Sequence, residues 1–283
     1  MARFTNQAQL AYRNRITTSN IAVGEILEVL SAAKHAVVET YESYDVITYV
    51  VSLVNSGTTA LTGLVLTDNL GAYTFNEASL FPLQYVANSL KYYVNGVLQT
   101  SPVIASQEPL QIEGISIPAQ GNAVVIYQAA LTQFAPSATN STITNQAVIS
   151  GTGISSITVE ETISALAEPI LNITKSISPV PVTENGALTY PFVIENRGNV
   201  PADPVDLIVI TDQFNPILSD LTVTFNGTAW AEGTQYTYDQ TTGLFTTKAG
   251  EITVPAATFT QNADTGAWSV IPGTSTLVIT GTV

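Results

Sequence analysis

Cysteine is absent and histidine occurs once, as His35. The first absence excludes disulfides and thiolate metal sites. The second leaves the chain almost without its commonest general base and metal ligand, so His-based catalysis and metal binding are not expected, and neither is a cofactor. Charge is scarce too: Asp, Glu, Lys and Arg together make up 11% of the residues, and the balance is strongly acidic, with 22 acids against 8 bases. An acidic chain is a poor fit to nucleic acid. No apolar run is long enough to cross a bilayer as a helix, so membrane insertion is not expected. The opening Met1-Ala2-Arg3-Phe4-Thr5-Asn6 lacks the apolar stretch of a secretion signal. Export by a route without such a signal, or removal of one, is the expectation.

What is present is a chain dominated by Thr, Val, Ile, Ser, Gly, Asn and Tyr in short alternating runs, with no sustained helical period. That composition predicts an all-β protein. The length of 283 residues suits two ordinary domains.

An internal repeat gives the organisation. The stretch from Ile16 to Lys34 aligns without gaps on Ile157 to Lys175. Further along, Thr48-Tyr49 answers Thr189-Tyr190, and Asn55-Ser56-Gly57 answers Asn196-Arg197-Gly198. Val65-Leu66-Thr67-Asp68 answers Val209-Ile210-Thr211-Asp212, and the turn pair Asn95-Gly96 answers Asn226-Gly227. Ala123 to Leu131 answers Ser275 to Val283. The first repeat then runs on into a strand at 143–150 that contains Thr144-Asn145-Gln146-Ala147, and the second has no counterpart after Val283. The same four letters stand instead at the front of the chain, as Thr5-Asn6-Gln7-Ala8.

Two tandem immunoglobulin-like β-sandwiches with an N-terminal donor-strand arm are therefore expected. The arm covers 1–24, the first domain 25–164, and the second, lacking its last strand, 165–283. A sandwich short of one strand exposes an edge that recruits another strand. In the arm, Phe4, Asn6, Ala8, Leu10 and Tyr12 share one face by the two-residue period. These residues, with Lys175 and Val283, are the expected subunit interface. Residues 15–23 correspond to 156–164 and form a candidate second strand of the inserted unit. Three of the arm's first 15 residues are Arg3, Arg13 and Arg15, and no acid precedes Glu25, whereas 165–283 holds 11 acids against Lys175, Arg197 and Lys248. The arm is basic and the second domain acidic.

These motifs, from Ile173-Thr174-Lys175-Ser176 through Leu188-Thr189-Tyr190 and Val209-Ile210-Thr211-Asp212 to the Thr-Asn-Gln-Ala strand, resemble the conserved-repeat family of bacterial surface proteins. The chain is also similar to clostridial spore-appendage subunits. The resemblance implies an immunoglobulin-like sandwich and a structural role on a cell or spore surface.

Three polar residues fall on apolar faces in each repeat. Lys34 shares parity with Leu30 and Val38, Asp68 with Leu64 and Leu66, and Asn145 with Ile143 and Ile149. Lys175, Asp212 and Asn6 stand in the matching places. Buried charge and amide are costly without partners, so each sandwich should gather a Lys, an Asp and an Asn. One reading is a self-formed isopeptide bond: Lys34 to Asn145 within the chain, and Lys175 to Asn6 of the next chain. A dry site would favour the neutral amine, with Asp68 or Asp212 as proton shuttle. The other is a hydrogen-bonded ion-pair cluster.

Other candidates read as structure. The Asn55 and Asn196 tripeptides read as turns, and Asp203, Asp206 and Asp212 lack calcium-loop spacing. Trp230, Trp268 and Tyr236 read as core or contact residues. The function expected is a non-enzymatic fibre subunit that forms a head-to-tail homopolymer on an extracellular, bacterial cell or spore surface. The alternative is a monomeric surface adhesin or cell-wall module.

Overall fold

The computed structural model describes residues 2–26 and 28–283. Among them the chain is almost wholly β, with one short 3-10 turn at Pro204–Asp206. It divides into two compact units. One holds Tyr44–Thr132, Ile143–Ile163 and the chain up to Glu39; the other holds Thr40–Ser43, Gln133–Thr142 and Ser164–Val283.

The first unit is a two-sheet sandwich. One sheet runs in the order Val97–Gln99, Lys91–Val94, Gly121–Leu131, Val46–Asn55, Leu30–Ala36, with Leu83–Tyr85 also paired to Gly121–Leu131. The facing sheet runs Val103–Gln107, Leu110–Ile117, Leu61–Asp68, Thr142–Ser150, Ile157–Ala165. Strict alternation builds the core between them. Ile47, Tyr49, Val51 and Leu53 point inward from one long strand, and Ala123, Val125, Tyr127 and Ala129 from its neighbour. Leu64, Leu66, Ile112, Ile115, Ala147 and Ile149 meet them from the facing sheet. Each fully buried aliphatic side chain of this kind contributes about 1.5–3 kcal/mol.

The second unit repeats five strands of the first sheet in order: Thr228–Trp230, Ser219–Phe225, Gly273–Thr282, Ala187–Asn196, Leu171–Lys175. Its core is Leu188, Tyr190, Phe192 and Ile194 packed with Phe214, Phe245, Val254, Leu277 and Ile279. The facing sheet is shorter, with only Tyr236–Asp239, Leu244–Thr247 and Thr211–Gln213. Among the described residues no strand pairs with the outer edge of Thr211–Gln213, the edge that Thr142–Ser150 occupies in the first unit. A further hairpin, Thr258–Gln261 with Trp268–Ile271, has no counterpart in the first unit.

The open edge is not where the closing residues of the chain suggest. Gly273–Thr282 is hydrogen-bonded on both long sides, to Ala187–Asn196 and to Ser219–Phe225. Val283 packs against the core, and its N–H donates to the Gly186 carbonyl. The reason is topological: in this sandwich the strand after Gly121–Leu131 crosses to the other sheet, and the matching edge in the second unit is that of Thr211–Gln213 rather than Gly273–Thr282.

The arm is a β-hairpin rather than a lone extended strand. Ala2–Asn6 pairs antiparallel with Ala22–Ile26, and Gln9–Tyr12 with Arg15–Thr18. The tip is a two-residue turn with Arg13 at φ 49°. Ser19 bridges the irregular middle, where its Oγ accepts from the Ala8 N–H and its N–H donates to the Ala8 carbonyl, both at 2.9 Å. Phe4 lies across Gly24, where a Cβ would meet the ring at 2.2 Å.

The two turn asparagines do the same work in each unit. Asn55 Nδ2 donates to the Thr59 and Pro118 carbonyls at 2.9 and 3.0 Å, and Oδ1 accepts from the Gly57 N–H. Asn196 Nδ2 donates to Val200, and its Oδ1 accepts from Gly198 and Ile170. Replacing either by Ala strands several backbone groups and should cost about 2 kcal/mol. In urea titration of the two-unit chain, Asn55→Ala should lower one unfolding transition and Asn196→Ala the other; equal shifts of both transitions by either variant would contradict the assignment.

Candidate functional site

In the first unit, three strands converge on one sealed polar cluster. Lys34 stands on the edge strand Leu30–Ala36, its inward parity fixed by pairing with Val51. Its Nζ donates to Asp68 Oδ2 at 2.6 Å and to the Asn145 backbone carbonyl at 3.0 Å. Both side chains of the ion pair are fully buried. Asp68 is held from two further directions: Tyr127 Oη donates to Oδ2, and the Leu70 N–H donates to Oδ1 at 2.8 Å. The face of Tyr49 lies 4.8 Å from Nζ, a cation–π contact.

Burial lowers the Lys34 pKa, although the Asp68 charge opposes the shift. Burial, then the charge of Asp68, raises the Tyr127 phenol well above its usual value. Asn145 is fully buried, and neither Oδ1 nor Nδ2 makes a hydrogen bond of standard geometry. The side-chain amide of Asn145 interacts with the Tyr127 hydroxyl and opposes the rise of its pKa. The cluster thus sets an amine whose charged form is disfavoured beside the residue carrying that amide.

The second unit brings together two of the matching residues in the open. Lys175 Nζ donates to Asp212 Oδ2. The rings of Tyr190, Phe192 and Phe214 surround it at 4.6, 5.3 and 5.1 Å. The side chains of Lys175 and Asp212 are 37% and 17% exposed, where those of Lys34 and Asp68 are 0%. Leu171 and Ile173, on the inward face with Lys175, are 38% and 47% exposed. A groove results, walled by Leu171–Lys175 on one side and the edge at Thr211–Gln213 on the other. The third residue, Asn6, pairs in the arm hairpin opposite Ala22.

The arm carries its apolar side chains bare. Phe4, Leu10 and Tyr12 are all half-exposed or more, as are Ile16, Ile21 and Val23 on the return strand. Ala8 is exposed as well.

The aromatic members of both clusters were not singled out from sequence. Tyr49 and Tyr190 carried a signal, since they answer each other in the repeat and lie on the same inward parity as the core. Tyr127 carried none: its counterpart is Ile279, so the phenol that holds Asp68 has no equivalent at Asp212. Trp230 stacks on Phe225 and Tyr236 on Phe245, which accounts for both as packing residues.

No protein-family model and no curated protein matches the chain. Among solved structures, BcpA, the major pilin subunit of Bacillus cereus, is similar at 9% identity and TM-score 0.36, covering 96% of this chain and 73% of that one. The pilus backbone RrgB of Streptococcus pneumoniae is similar at 10% identity and TM-score 0.34 over 86% of this chain; this chain spans 55% of it. AvmM, which catalyses macrocyclization in alchivemycin A biosynthesis, is similar at 12% identity and TM-score 0.30, over 51% of this chain and 92% of that one. Surface adhesin domains match as well. At these identities and scores the likeness carries no functional argument, and function is read from the chain's own residues.

The two ion pairs should differ sharply in their worth. Lys34→Ala leaves Asp68 buried and unpaired and should cost about 3–5 kcal/mol. Lys175→Ala, in an exposed groove, should cost under about 1 kcal/mol. Denaturant unfolding of unassembled protomers measures both; a Lys175→Ala loss as large as that of Lys34→Ala would mean the second site is closed in solution.

Proposed function

We propose that this chain is the structural subunit of an extracellular or spore-surface fibre. It assembles head to tail as a homopolymer, its arm (1–24) inserting into the second domain (165–283) of the adjacent subunit, while the first domain (25–164) is complete. The observation that carries this reading is the difference between the two units. Where the first fills its facing sheet with Thr142–Ser150, the second leaves the edge at Thr211–Gln213 unpaired and the face of Leu171, Ile173 and Lys175 open. The arm holds the same Thr-Asn-Gln-Ala text as the filling strand.

The register follows by transfer. In the first unit Ala147, Val148, Ile149 and Ser150 stand opposite Asp68, Thr67, Leu66 and Val65. The docked arm then sets Ala8 opposite Asp212, Gln9 opposite Thr211, Leu10 opposite Ile210 and Ala11 opposite Val209. Arg15–Thr18 and its continuation take the outer place that Ile157–Ala165 holds in the first unit, so the inserted element is the whole hairpin. An isolated two-stranded hairpin is marginal in water, and the docked one gains a third strand and a core. Burial of Phe4, Leu10 and Tyr12 contributes roughly 5 kcal/mol before ordering costs. The hairpin is already paired, which reduces those costs. A contact between unlike surfaces of identical subunits gives a filament where its rotation does not close a ring.

The same register brings Asn6 to the place of Asn145, beside Lys175. Two isopeptide bonds follow, Lys34–Asn145 within each subunit and Lys175–Asn6 across each joint, with Asp68 and Asp212 as proton shuttles. The lowered pKa of Lys34 and the burial of Asn145, whose backbone carbonyl accepts from Nζ, support the first. No cofactor or metal takes part in this scheme.

Negative-stain microscopy tests the assembly. The full chain should form filaments, and a chain without residues 1–24 should remain monomeric; equal filament yield from both would overturn strand donation. Intact mass tests the chemistry: a monomer should weigh one ammonia less than its sequence, and Asn145→Ala should restore the full mass. Unmodified mass would remove the Lys34–Asn145 bond and leave strand donation standing. Arg13 and Arg15 at the hairpin tip approach an acidic unit, so elongation should slow as ionic strength rises. Stopped-flow light scattering reads that rate, and a salt-independent rate would mean the arm's charge plays no part in docking.

A further inference from the structure

The sealed and open clusters share a Lys–Asp pair and differ in what closes them. Around Lys34 and Asp68, the strand Thr142–Ser150 supplies Ala147 opposite Asp68 and the Asn145 carbonyl on Nζ, and Tyr127 adds a phenol. Around Lys175 and Asp212, three rings and one carboxylate are in place, and one wall is solvent. Ile279 stands where Tyr127 stands, so no phenol holds Asp212 in its place. Resting on the strand-donation reading above, we infer that the second unit is a dormant half-site: its ligation chemistry is held off in the free subunit and is switched on by the docking strand that delivers Asn6.

The physical argument is that one event supplies everything missing. In the free subunit one wall of the Lys175 site is solvent, and Asn6 is held in the arm hairpin opposite Ala22. Docking covers Leu171, Ile173 and Lys175 with the face of Ala8 and Leu10, and excludes water from the aromatic box. The buried ammonium passes one proton to Asp212, and the neutral Nζ attacks Cγ of Asn6. As the Nζ–Cγ bond forms and the Cγ–Nδ2 bond breaks, Asp212 relays the proton that Nζ sheds to Nδ2, and ammonia leaves. Ammonia takes up the remaining proton in water, and Asp212 returns to its carboxylate. No oxidant, metal or energy source enters the balance. A subunit built this way can be stored without cross-linking, and a joint in the wrong register stays reversible because Lys175 is not sealed.

The test uses full-length chains and a pulse of acetic anhydride, with acetylation at each lysine read by peptide mass spectrometry. Asn6→Ala removes the electrophile and one polar interface residue and keeps the apolar docking residues Phe4, Ala8, Leu10 and Tyr12. In free Asn6→Ala protomers, Lys175 should label as readily as the exposed Lys91, while Lys34 stays unlabelled. In Asn6→Ala fibres, labelling of Lys175 should fall to the level of Lys34. A Lys175 already protected in the free protomer, or still labelled in fibres, overturns the gating and leaves strand donation intact. Absence of Asn6→Ala fibres under conditions where the unmodified chain makes them counts against Asn6→Ala as a silent docking variant, and Lys175→Met fibres then report on docking by the protection of the Thr211–Gln213 edge amides from hydrogen exchange; unprotected amides in those fibres overturn the gating. In the unmodified chain, an SDS-resistant ladder should follow fibre formation and never precede it. With Leu10→Asp, which blocks docking, the ladder and the second lost ammonia should both vanish while the first is kept. A second ammonia lost without docking overturns the proposal, and sealed fibres without a ladder overturn the ligation alone.

Discussion

An unpaired strand edge above an apolar face is the constraint from which the rest follows. Backbone N–H and C=O groups must be paired by protein or by water, and water is a poor cover for Leu171, Ile173 and the rings around Lys175. The second unit cannot satisfy its edge and its groove separately, because both face the same gap. A strand that brings hydrogen-bonding backbone on its side and apolar side chains on its face answers both at once. The first unit contains that solution in its own chain, as Thr142–Ser150. Comparison of the two units therefore serves as an internal control: the same scaffold, with and without the strand.

Much of this was legible in the sequence because β-structure writes its faces in alternate residues. The parity of Lys34 with Leu30, of Asp68 with Leu66 and of Asn145 with Ile149 marked all three as inward, and the facing sheets then had few ways to keep them apart. The repeat fixed which residues of the second half correspond. Two features were not legible. The edge lies along Thr211–Gln213 and not along Gly273–Thr282, because adjacency in sequence says nothing about a strand that crosses between sheets. The arm's second strand was legible in the match of 15–23 to 156–164, but its turn was hidden: it is Arg13-Asn14, with a positive φ at Arg13, and no Gly or Asn-Gly pair announces it. The aromatic box was half visible, in Tyr49 and Tyr190, and half hidden, since Tyr127 has no partner in the repeat.

The hairpin form of the arm would change the energetics of the proposed joint. A disordered strand loses about 1–2 kcal/mol of backbone freedom for each residue it orders, which for a segment of this length would consume the gain from Phe4, Leu10 and Tyr12. Ala2–Asn6 and Gln9–Tyr12 already have partners, so most of that ordering precedes docking. The return strand also matters for solubility. Pairing protects one edge of the donor from other chains, and the basic residues near the tip discourage arm-to-arm association. What remains exposed is the face that matches the groove.

In the proposed fibre, the contrast between Lys34 and Lys175 would give the two units different roles. A sealed cluster inside one unit stiffens that unit whatever its neighbours do. A cluster completed only across a joint carries no bond until the joint exists, so it reports assembly as well as securing it. Tyr127 sharpens the difference. Its hydroxyl and the Leu70 N–H hold the Asp68 carboxylate from two sides, which pre-organises the first site at folding. With Ile279 in that position, Asp212 is held by Lys175 and lies near the Tyr190 phenol, without a counterpart of Tyr127. Pre-organisation where the parts share a chain, and a site left incomplete where they come from two, is what an edge filled by diffusion requires: the incoming Asn6 must find its register before the carboxylate and the amine commit to it.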